Sequence, residues 1–309
     1  MNKILTLLII ITLLSCVNDN DIVEEQPFEY AFSKQHYQHD LTDTSIPYHI
    51  FEPKQSLNTT DKFPLILALH GAEYFATAEE DFLFNETFGY YALAWIEENN
   101  QNQYPAYVLA PHIHEELWKG NDYNNWSAPN SLDFLEKLLE EVMKHKNIDA
   151  ERVYLTGHSM GGAGTWIVGA HLKDKVAALV PLSTALGASS PGFDALAQQV
   201  EKGSFAQLPV WSFIHKRDAD GSGSEHACRV LFQAFDDKGY EPTFTHGFEE
   251  TQYNLTSAEI NEVISEGKIH FYTEYNYDCY ANCHYAMTEA LREPFLFRWL
   301  FMQKRSDNY

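Results

Sequence analysis

The most informative segment of this sequence is LTGHSMGGAGTW, residues 155–166. It follows a β-branched and aromatic run and precedes a segment with helical spacing. Gly157 and Gly161 flank Ser159 at a spacing that allows a sharp strand-to-helix turn, because a side chain at either glycine would collide with neighbouring backbone. The serine between them would adopt a strained backbone conformation and hold its side chain clear of the sheet. The pattern predicts a nucleophile at this turn.

Apolar runs and amphipathic segments alternate along the rest of the chain, which predicts an α/β fold. The expected architecture is a mostly parallel, doubly wound sheet with helices on both faces, formed by residues 46–305. The segment 240–268 fits this rhythm poorly and is expected to be an insertion, either a strand, loop and short helix or a lid. Strands are predicted at 46–53, 63–71, 104–112, 152–157, 176–183, 209–215 and 269–275, and helices at 131–147, 159–172, 225–238 and 288–303.

Several chemically capable side chains follow predicted strands. In a doubly wound sheet such residues meet at the carboxyl ends of the strands. Ser159, His70-Gly71, His112, Asp218 and His284 are therefore expected to converge although they lie far apart in sequence. Asp220 is an alternative acid two positions after Asp218, and His246 is an alternative base near the 240–268 insertion.

The motifs LHGAE, GHSMGGAGTW and PVWSFIHKRD, followed by a histidine before the last helix, occur here in the order found in a known group. Over residues 46–303 the chain resembles the α/β-hydrolase superfamily, in the branch of secreted esterases and predicted peptidases related to polyhydroxybutyrate depolymerases and feruloyl esterases. The resemblance implies a nucleophile, acid and base in the order Ser159, Asp218, His284. It also implies an oxyanion hole made by the backbone N–H groups of Met160 and Ala72.

No cofactor and no metal are expected. His112 and His114 lack a visible third ligand for a zinc site. The acidic stretch after Asp218 has the spacing of a calcium loop, but Arg229 replaces the glutamate needed at its last position. Tyr74 and Trp126 lie in predicted loops beside the cleft and are expected to touch the substrate.

The expected reaction is hydrolysis of carboxylic esters through an acyl-enzyme, with a small-molecule or oligosaccharide ester as substrate, such as an ester on a polysaccharide fragment. Relatives often carry glycine at the position of Glu73 and His-Gly at Ile214-His215, so the resemblance is weaker on substrate class than on reaction type. The alternatives are a serine peptidase with the same triad and a non-catalytic glycan-binding lipoprotein. The latter would require His284 or Asp218 to be displaced from the serine.

The first residues, MNKILTLLIIITLLSC, predict a signal peptide over 1–15 with a lipidated Cys16, followed by a flexible tether over 16–45. The sequence resembles bacterial lipoprotein signals, and Val17 favours the outer membrane of the cell envelope. The net charge of −23 argues against nucleic acid as a partner.

Lipidation of Cys16 would leave Cys228, Cys279 and Cys283. Cys279 and Cys283 are close enough in sequence to pair, and Cys228 is an equal candidate partner. A Cys279–Cys283 link would stiffen the loop that carries His284.

Overall fold

The computed structural model describes residues 31–72, 89–119, 125–187, 191–218, 224–246, 255–278 and 283–307. In these residues the strands form one mixed sheet in the order β1-β2-β4-β3-β5-β6-β7-β9-β8. The strands are β1 Ser33–His39, β2 Thr44–Phe51, β3 Phe63–Leu69, β4 Tyr107–Pro111, β5 Ile148–His158, β6 Ala178–Leu182, β7 Val210–His215, β8 Thr243–His246 and β9 His270–Tyr275.

Antiparallel pairing is confined to one edge, where β2 pairs with β1 and with β4. The other pairs are parallel. The predicted α/β class and mostly parallel sheet are therefore confirmed. The central strands are buried on both faces, which explains why they read as continuous apolar runs.

Helices cover both faces of this sheet. The α-helices of the described residues are α1 Tyr90–Leu93, α2 Glu98–Gln103, α3 Glu115–Trp118, α4 Pro129–His145, α5 Met160–His171, α6 Pro191–Glu201, α7 Ser224–Asp237, α8 Ser257–Ser265, α9 Met287–Ala290 and α10 Pro294–Met302. None of them is long and apolar enough to cross a bilayer.

Strand β3 shows how the sequence divides the core into two layers. Its Leu67 belongs to a cluster that includes Phe134 of α4 and Trp166 of α5. The next residue along the strand, Ala68, belongs to a second cluster that includes Trp299 of α10. Because successive side chains of a strand point to opposite faces, one buried strand joins both layers.

The structure corrects the predicted tether, which ends before residue 33. Ser33–His39 form the edge strand β1, although its residues SKQHYQH are polar and mostly exposed or half-buried. An edge strand needs no apolar run on its solvent side, so hydrophobic patterning does not reveal it. Residues 1–30 lie outside the described residues.

Two helical regions also differ from expectation. The last predicted helix, 288–303, is divided into α9 and α10, and Pro294 is the first residue of α10. Proline suits that position because its missing N–H has no intrahelical partner there. Helix α6 was not predicted.

In the 240–268 segment the structure gives β8 on the sheet edge and α8, while 247–254 lies outside the described residues. The lid stays a prediction.

Candidate active site

Ser159 lies between the end of β5 and the start of α5 in a strained conformation, with φ 60° and ψ −116°. Such a backbone costs about 1–3 kcal/mol for a residue other than glycine and is maintained by its surroundings. The flanking glycines allow the turn, as predicted. A Cβ atom at Gly157 would lie 2.5 Å from the carbonyl oxygen of Gly161, and one at Gly161 would lie 2.0 Å from that of Leu69.

Backbone hydrogen bonds to the last residue of β6 and from the segment that follows it hold this turn in place. The N–H of Ser159 donates to the carbonyl oxygen of Leu182 at 3.0 Å, and the N–H of Ala185 donates to the carbonyl oxygen of Ser159 at 3.0 Å. Gly162 lets the two segments approach, because a Cβ there would lie 2.5 Å from the Leu182 oxygen. The serine is therefore fixed by tertiary contacts rather than by the local sequence alone.

The structure brings Ser159, Asp218 and His284 together in one hydrogen-bonded chain. Nδ1 of His284 lies 2.6 Å from Oδ1 of Asp218, and Nε2 lies 2.7 Å from Oγ of Ser159. An ionised carboxylate only accepts hydrogen bonds, so the neutral imidazole carries its hydrogen on Nδ1. Nε2 is then the acceptor that faces the serine hydroxyl. The displacement that a non-catalytic binding protein would require is not observed.

The three hydrogen-bonded residues differ in their exposure to solvent. The Asp218 side chain is fully buried, the His284 side chain is 12% exposed, and Ser159 is 7% exposed. The carboxylate is therefore shielded from water, while the imidazole and the hydroxyl remain accessible. In such a site an imidazolium formed at His284 would be stabilised by a nearby, poorly screened negative charge.

Both partners of Ser159 are held by backbone contacts. Asp218 ends a turn after β7 in which its N–H donates to the carbonyl oxygen of His215 at 2.9 Å. His284 lies in a short 3-10 helix of one turn, Cys283–Tyr285. Its carbonyl oxygen lies 2.9 Å from Nε2 of His158, the residue that precedes the serine. One residue of the sharp turn therefore supplies the nucleophile and its neighbour anchors the base.

The two residues expected to supply the oxyanion-hole amides are Met160 and Ala72. Met160 is the first residue of α5, so its amide lies at the positive end of the helix dipole. Ala72 follows β3 in an exposed turn. Their role as oxyanion donors stays a prediction.

His70 orients the peptide group that contains the Ala72 amide. Nε2 of His70 accepts from the N–H of Ile113 at 3.1 Å, so Nδ1 carries the hydrogen and donates to the carbonyl oxygen of Gly71 at 2.7 Å. Because C=O and N–H of a trans peptide point in opposite directions, this bond turns the Ala72 N–H away from the His70 ring. Burial, with a smaller effect of nearby His112, lowers the pKa of His70 to about 3, so the ring stays neutral.

The expectation for Trp126 is wrong. Its side chain is fully buried, and its indole N–H donates to the carbonyl oxygen of His70 at 3.0 Å. The Trp126 side chain packs against Gly164, where an added Cβ would lie 2.8 Å from the Cβ of Trp126 and 2.9 Å from the nearest ring atoms. Trp126 therefore packs under the site instead of touching substrate, because a glycine on α5 makes room for it. Tyr74 lies outside the described residues.

The alternative site residues do not displace the predicted ones. His246 ends the edge strand β8, two strands away from β7, and His284 occupies the base position. Asp220 lies outside the described residues, whereas Asp218 makes the contact with His284. The contact of His158 with the carbonyl oxygen of His284 was not predicted, because sequence spacing does not reveal which backbone carbonyl a buried histidine will contact.

The structure excludes one of the two disulfide pairings that the sequence leaves open. Cys228 on α7 is a buried free thiol, so it is not the partner of Cys283. Cys283 is disulfide-bonded, immediately before His284. Cys279 lies outside the described residues, and its pairing with Cys283 stays a prediction.

Residues 35–188, about half the chain, match the family model "Acetyl xylan esterase (AXE1)". The bifunctional acetylxylan esterase/xylanase XynS20E of Neocallimastix patriciarum is 26% identical over 137 residues, which cover 44% of this chain and 17% of that protein. The chain therefore spans a small part of that relative.

Solved structures share the fold over most of the chain. A thermostable esterase has a TM-score of 0.66 and 24% identity, covering 89% of this chain and 64% of its own. A ferulic acid esterase has a TM-score of 0.56 and 12% identity, covering 87% of this chain and 98% of its own. With its sheet order and its strained serine turn the chain has the α/β-hydrolase fold, and its residues 35–188 match the acetyl xylan esterase family.

Proposed function

We propose that this protein is a serine esterase that hydrolyses carboxylic esters through an acyl-enzyme intermediate. The observation that carries the proposal is the continuous hydrogen-bonded chain from Ser159 Oγ through His284 to Asp218. A serine hydroxyl alone is a poor nucleophile, and a base within about 3 Å is what activates it.

The residues divide the reaction between them. Ser159 Oγ attacks the ester carbonyl carbon while its proton passes to Nε2 of His284, giving a tetrahedral oxyanion. The imidazolium then returns that proton to the leaving alcohol as the acyl–oxygen bond breaks. Water, deprotonated by the same nitrogen, then attacks the acyl carbon, and the imidazolium returns the proton to Ser159 Oγ as the acyl–Oγ bond breaks and the carboxylic acid leaves. Asp218 keeps the imidazole in the required tautomer and stabilises its charged form.

The oxyanion of each tetrahedral intermediate would accept hydrogen bonds from the Met160 and Ala72 amides. The helix dipole at Met160 and the peptide orientation imposed by His70 support these assignments. Loss of one such donor typically costs about 2.7–4 kcal/mol of transition-state stabilisation.

For the substrate we propose acyl groups on plant-type polysaccharides, with acetyl esters first. The support is the acetyl xylan esterase family model and the acetylxylan esterase activity named for the relative from Neocallimastix patriciarum. Both concern other proteins, and the match covers only part of each chain.

The decisive experiment is a panel of acetyl, longer-chain acyl and feruloyl esters, with acetylated xylan and a set of peptides, assayed on wild type and Ser159→Ala. We expect ester hydrolysis by wild type and its loss, by about a millionfold, in Ser159→Ala. Ser204→Ala, a serine remote from the turn, serves as the control. Ester hydrolysis that survives in Ser159→Ala would remove this serine from the mechanism, and cleavage of peptides alone would replace the esterase with a peptidase.

We also propose that Cys16 is lipidated and anchors the protein to the outer membrane of a bacterial cell envelope. The support is the sequence MNKILTLLIIITLLSC, in which an apolar run is followed by the small residue Ser15 and then by the cysteine. In cells fed an alkyne-labelled fatty acid, the full chain should be labelled and should sediment with membranes. Labelling that persists in Cys16→Ser would contradict the proposal.

A further inference from the structure

The acid and the base of the site follow two neighbouring parallel strands. β7 leads to Asp218 and β9 leads, through residues 276–278, towards His284. Among the described residues, the last backbone hydrogen bond between the two strands runs from the N–H of Lys216 to the carbonyl oxygen of Tyr275, at 2.9 Å. Beyond this bond, something other than the sheet must hold the two segments at a fixed separation.

The side chain of His215 makes the next connection. Its Nδ1 accepts a hydrogen bond from the N–H of Arg217 at 3.0 Å, and its Nε2 lies 3.0 Å from the carbonyl oxygen of Tyr277. Since Nδ1 accepts, Nε2 carries the hydrogen and donates it. The buried ring thus links the turn that ends at Asp218 to the segment that leaves β9.

The surroundings of His215 keep its ring neutral and in one tautomer. The ring packs edge-on against the Tyr277 ring, with centroids 4.7 Å apart. Burial, more than the charge of Arg217, lowers the pKa of His215, while Asp218 and Glu274 oppose that shift. The neutral tautomer with its hydrogen on Nε2 is the one that both hydrogen bonds require.

The Arg217 side chain also contacts the segment that leaves β9, but this contact contributes less than that of His215. Its Nη2 lies 3.0 Å from the Tyr277 carbonyl oxygen and 3.1 Å from Oδ1 of Asp278. The arginine side chain is 51% exposed and that of Asp278 is 92% exposed. Water screens such a pair, and exposed pairs of this kind contribute little.

We propose that His215 is a positioning residue for ester hydrolysis: its buried ring fixes the turn of Asp218 against the segment that leads to His284, and so sets the Asp218–His284 contact. This inference rests on the proposed function of the Ser159 site. It predicts an effect on the chemical step rather than on substrate binding, because His215 lies behind the acid and does not contact Ser159.

The test compares His215→Phe with His270→Phe in the full chain. Phenylalanine keeps a flat buried ring at position 215 and removes both hydrogen bonds. His270 is a matched control because it is also buried, lies on the same pair of strands at their opposite ends, and has Nε2 2.9 Å from the carbonyl oxygen of Phe205.

For His215→Phe we expect kcat to fall about 10- to 100-fold, the cost of a misplaced catalytic group, with KM within about twofold of wild type. His270→Phe should lose stability but retain kcat within about threefold. A second readout needs no substrate: the downfield proton NMR signal of the His284 Nδ1–H···Asp218 bond, assigned by its loss in His284→Ala. This signal should broaden or disappear in His215→Phe and persist in His270→Phe.

Wild-type kcat and an unchanged downfield signal in His215→Phe would overturn the inference. If His215→Phe does not fold, the test is the comparison of kcat between His215→Gln and His215→Asn. Glutamine reaches far enough to donate to Tyr277 and should retain more kcat than asparagine, so equal values would also overturn it. If wild type shows the downfield proton but hydrolyses no ester, the proposed function fails while the signal still reports on His215.

Discussion

Oγ of Ser159 lies 2.7 Å from Nε2 of His284, although 125 positions separate the two residues in sequence. The serine follows β5 and the histidine lies beyond β9, and only β6 and β7 stand between these strands in the sheet. Because these strands are parallel, their carboxyl ends meet at one edge. The hydroxyl can therefore pass its proton to the imidazole without rearrangement of either side chain.

Replacing Asp218 with asparagine should lower kcat about 10⁴-fold with little change in KM. The amide can donate to Nδ1 of His284, which favours the tautomer with hydrogen on Nε2 and leaves no acceptor facing Ser159. Steady-state kinetics on an ester substrate measure this. Asp236→Asn, an exposed carboxylate on α7 that undergoes the same charge change, should behave as wild type. Equal activity of the two variants would exclude Asp218 as the acid.

Gly161→Ala should destabilise the fold by about 3 kcal/mol or more, because the new Cβ would lie 2.0 Å from the carbonyl oxygen of Leu69, a backbone atom of β3. Gly169→Ala on the same helix is the matched control. There the Cβ would meet the tip of the Leu179 side chain at 2.6 Å, which can move, so a smaller loss is expected. Chemical denaturation compares them, and equal losses would contradict the close-packed turn.

Stability should fall as the pH drops below about 6.5. The unfolded chain binds a proton at His70 near its ordinary pKa of 6.5, whereas the buried ring in the folded protein does so only near pH 3. Protons therefore favour unfolding between these values, by up to about 1.4 kcal/mol per pH unit for this one group. Denaturation of wild type at pH 6.5 and 5 should reveal a difference to which His70 contributes about 1.6 kcal/mol.

The control for this effect is His70→Gln, which lacks a titrating group. It should be less stable at every pH but show a shallower slope between pH 6.5 and 5. The remaining slope would come from other buried histidines, including His215 and His270, whose pKa values burial also lowers. An identical slope in wild type and His70→Gln would rule out the assigned contribution.

Reduction of the disulfide at Cys283 should lower activity, because the turn that carries His284 loses a covalent constraint. Removal of a native disulfide typically costs about 2–5 kcal/mol of stability. Cys283→Ser should be less active than wild type and insensitive to reductant. Cys228→Ala, which removes the buried free thiol, should keep the sensitivity. Peptide mapping by mass spectrometry would identify the partner, and a partner other than Cys279 would refute the predicted pairing.

The parallel part of the sheet could be predicted because its strands are buried on both faces and therefore apolar throughout. The three residues of the proposed triad could be placed because each follows such a strand. The edge strand β1 could not, since its solvent-facing side chains carry no hydrophobic signal. Pro294 could have marked the start of α10, but the apolar run on both sides of it suggested one continuous helix.

Side-chain environments were less predictable than strand order. Trp126 lies in a segment that reads as a loop, yet Gly164 on α5 opens a space that buries it completely. Such burial depends on the shape of a facing element that is distant in sequence. The same holds for His158 and His215, whose hydrogen-bond acceptors are backbone carbonyls of segments that only the folded sheet brings near.

The order of strands across the sheet has a consequence for how the protein loses activity. Ser159 lies within the matched residues 35–188, whereas Asp218 and His284 come from the remainder of the chain. If β7 and β9 detached from β6 while the first half stayed folded, the nucleophile would keep its shape but lose its base. Catalysis would then vanish before the bulk of the helical signal, which makes enzymatic turnover a sensitive reporter of partial unfolding in the C-terminal third.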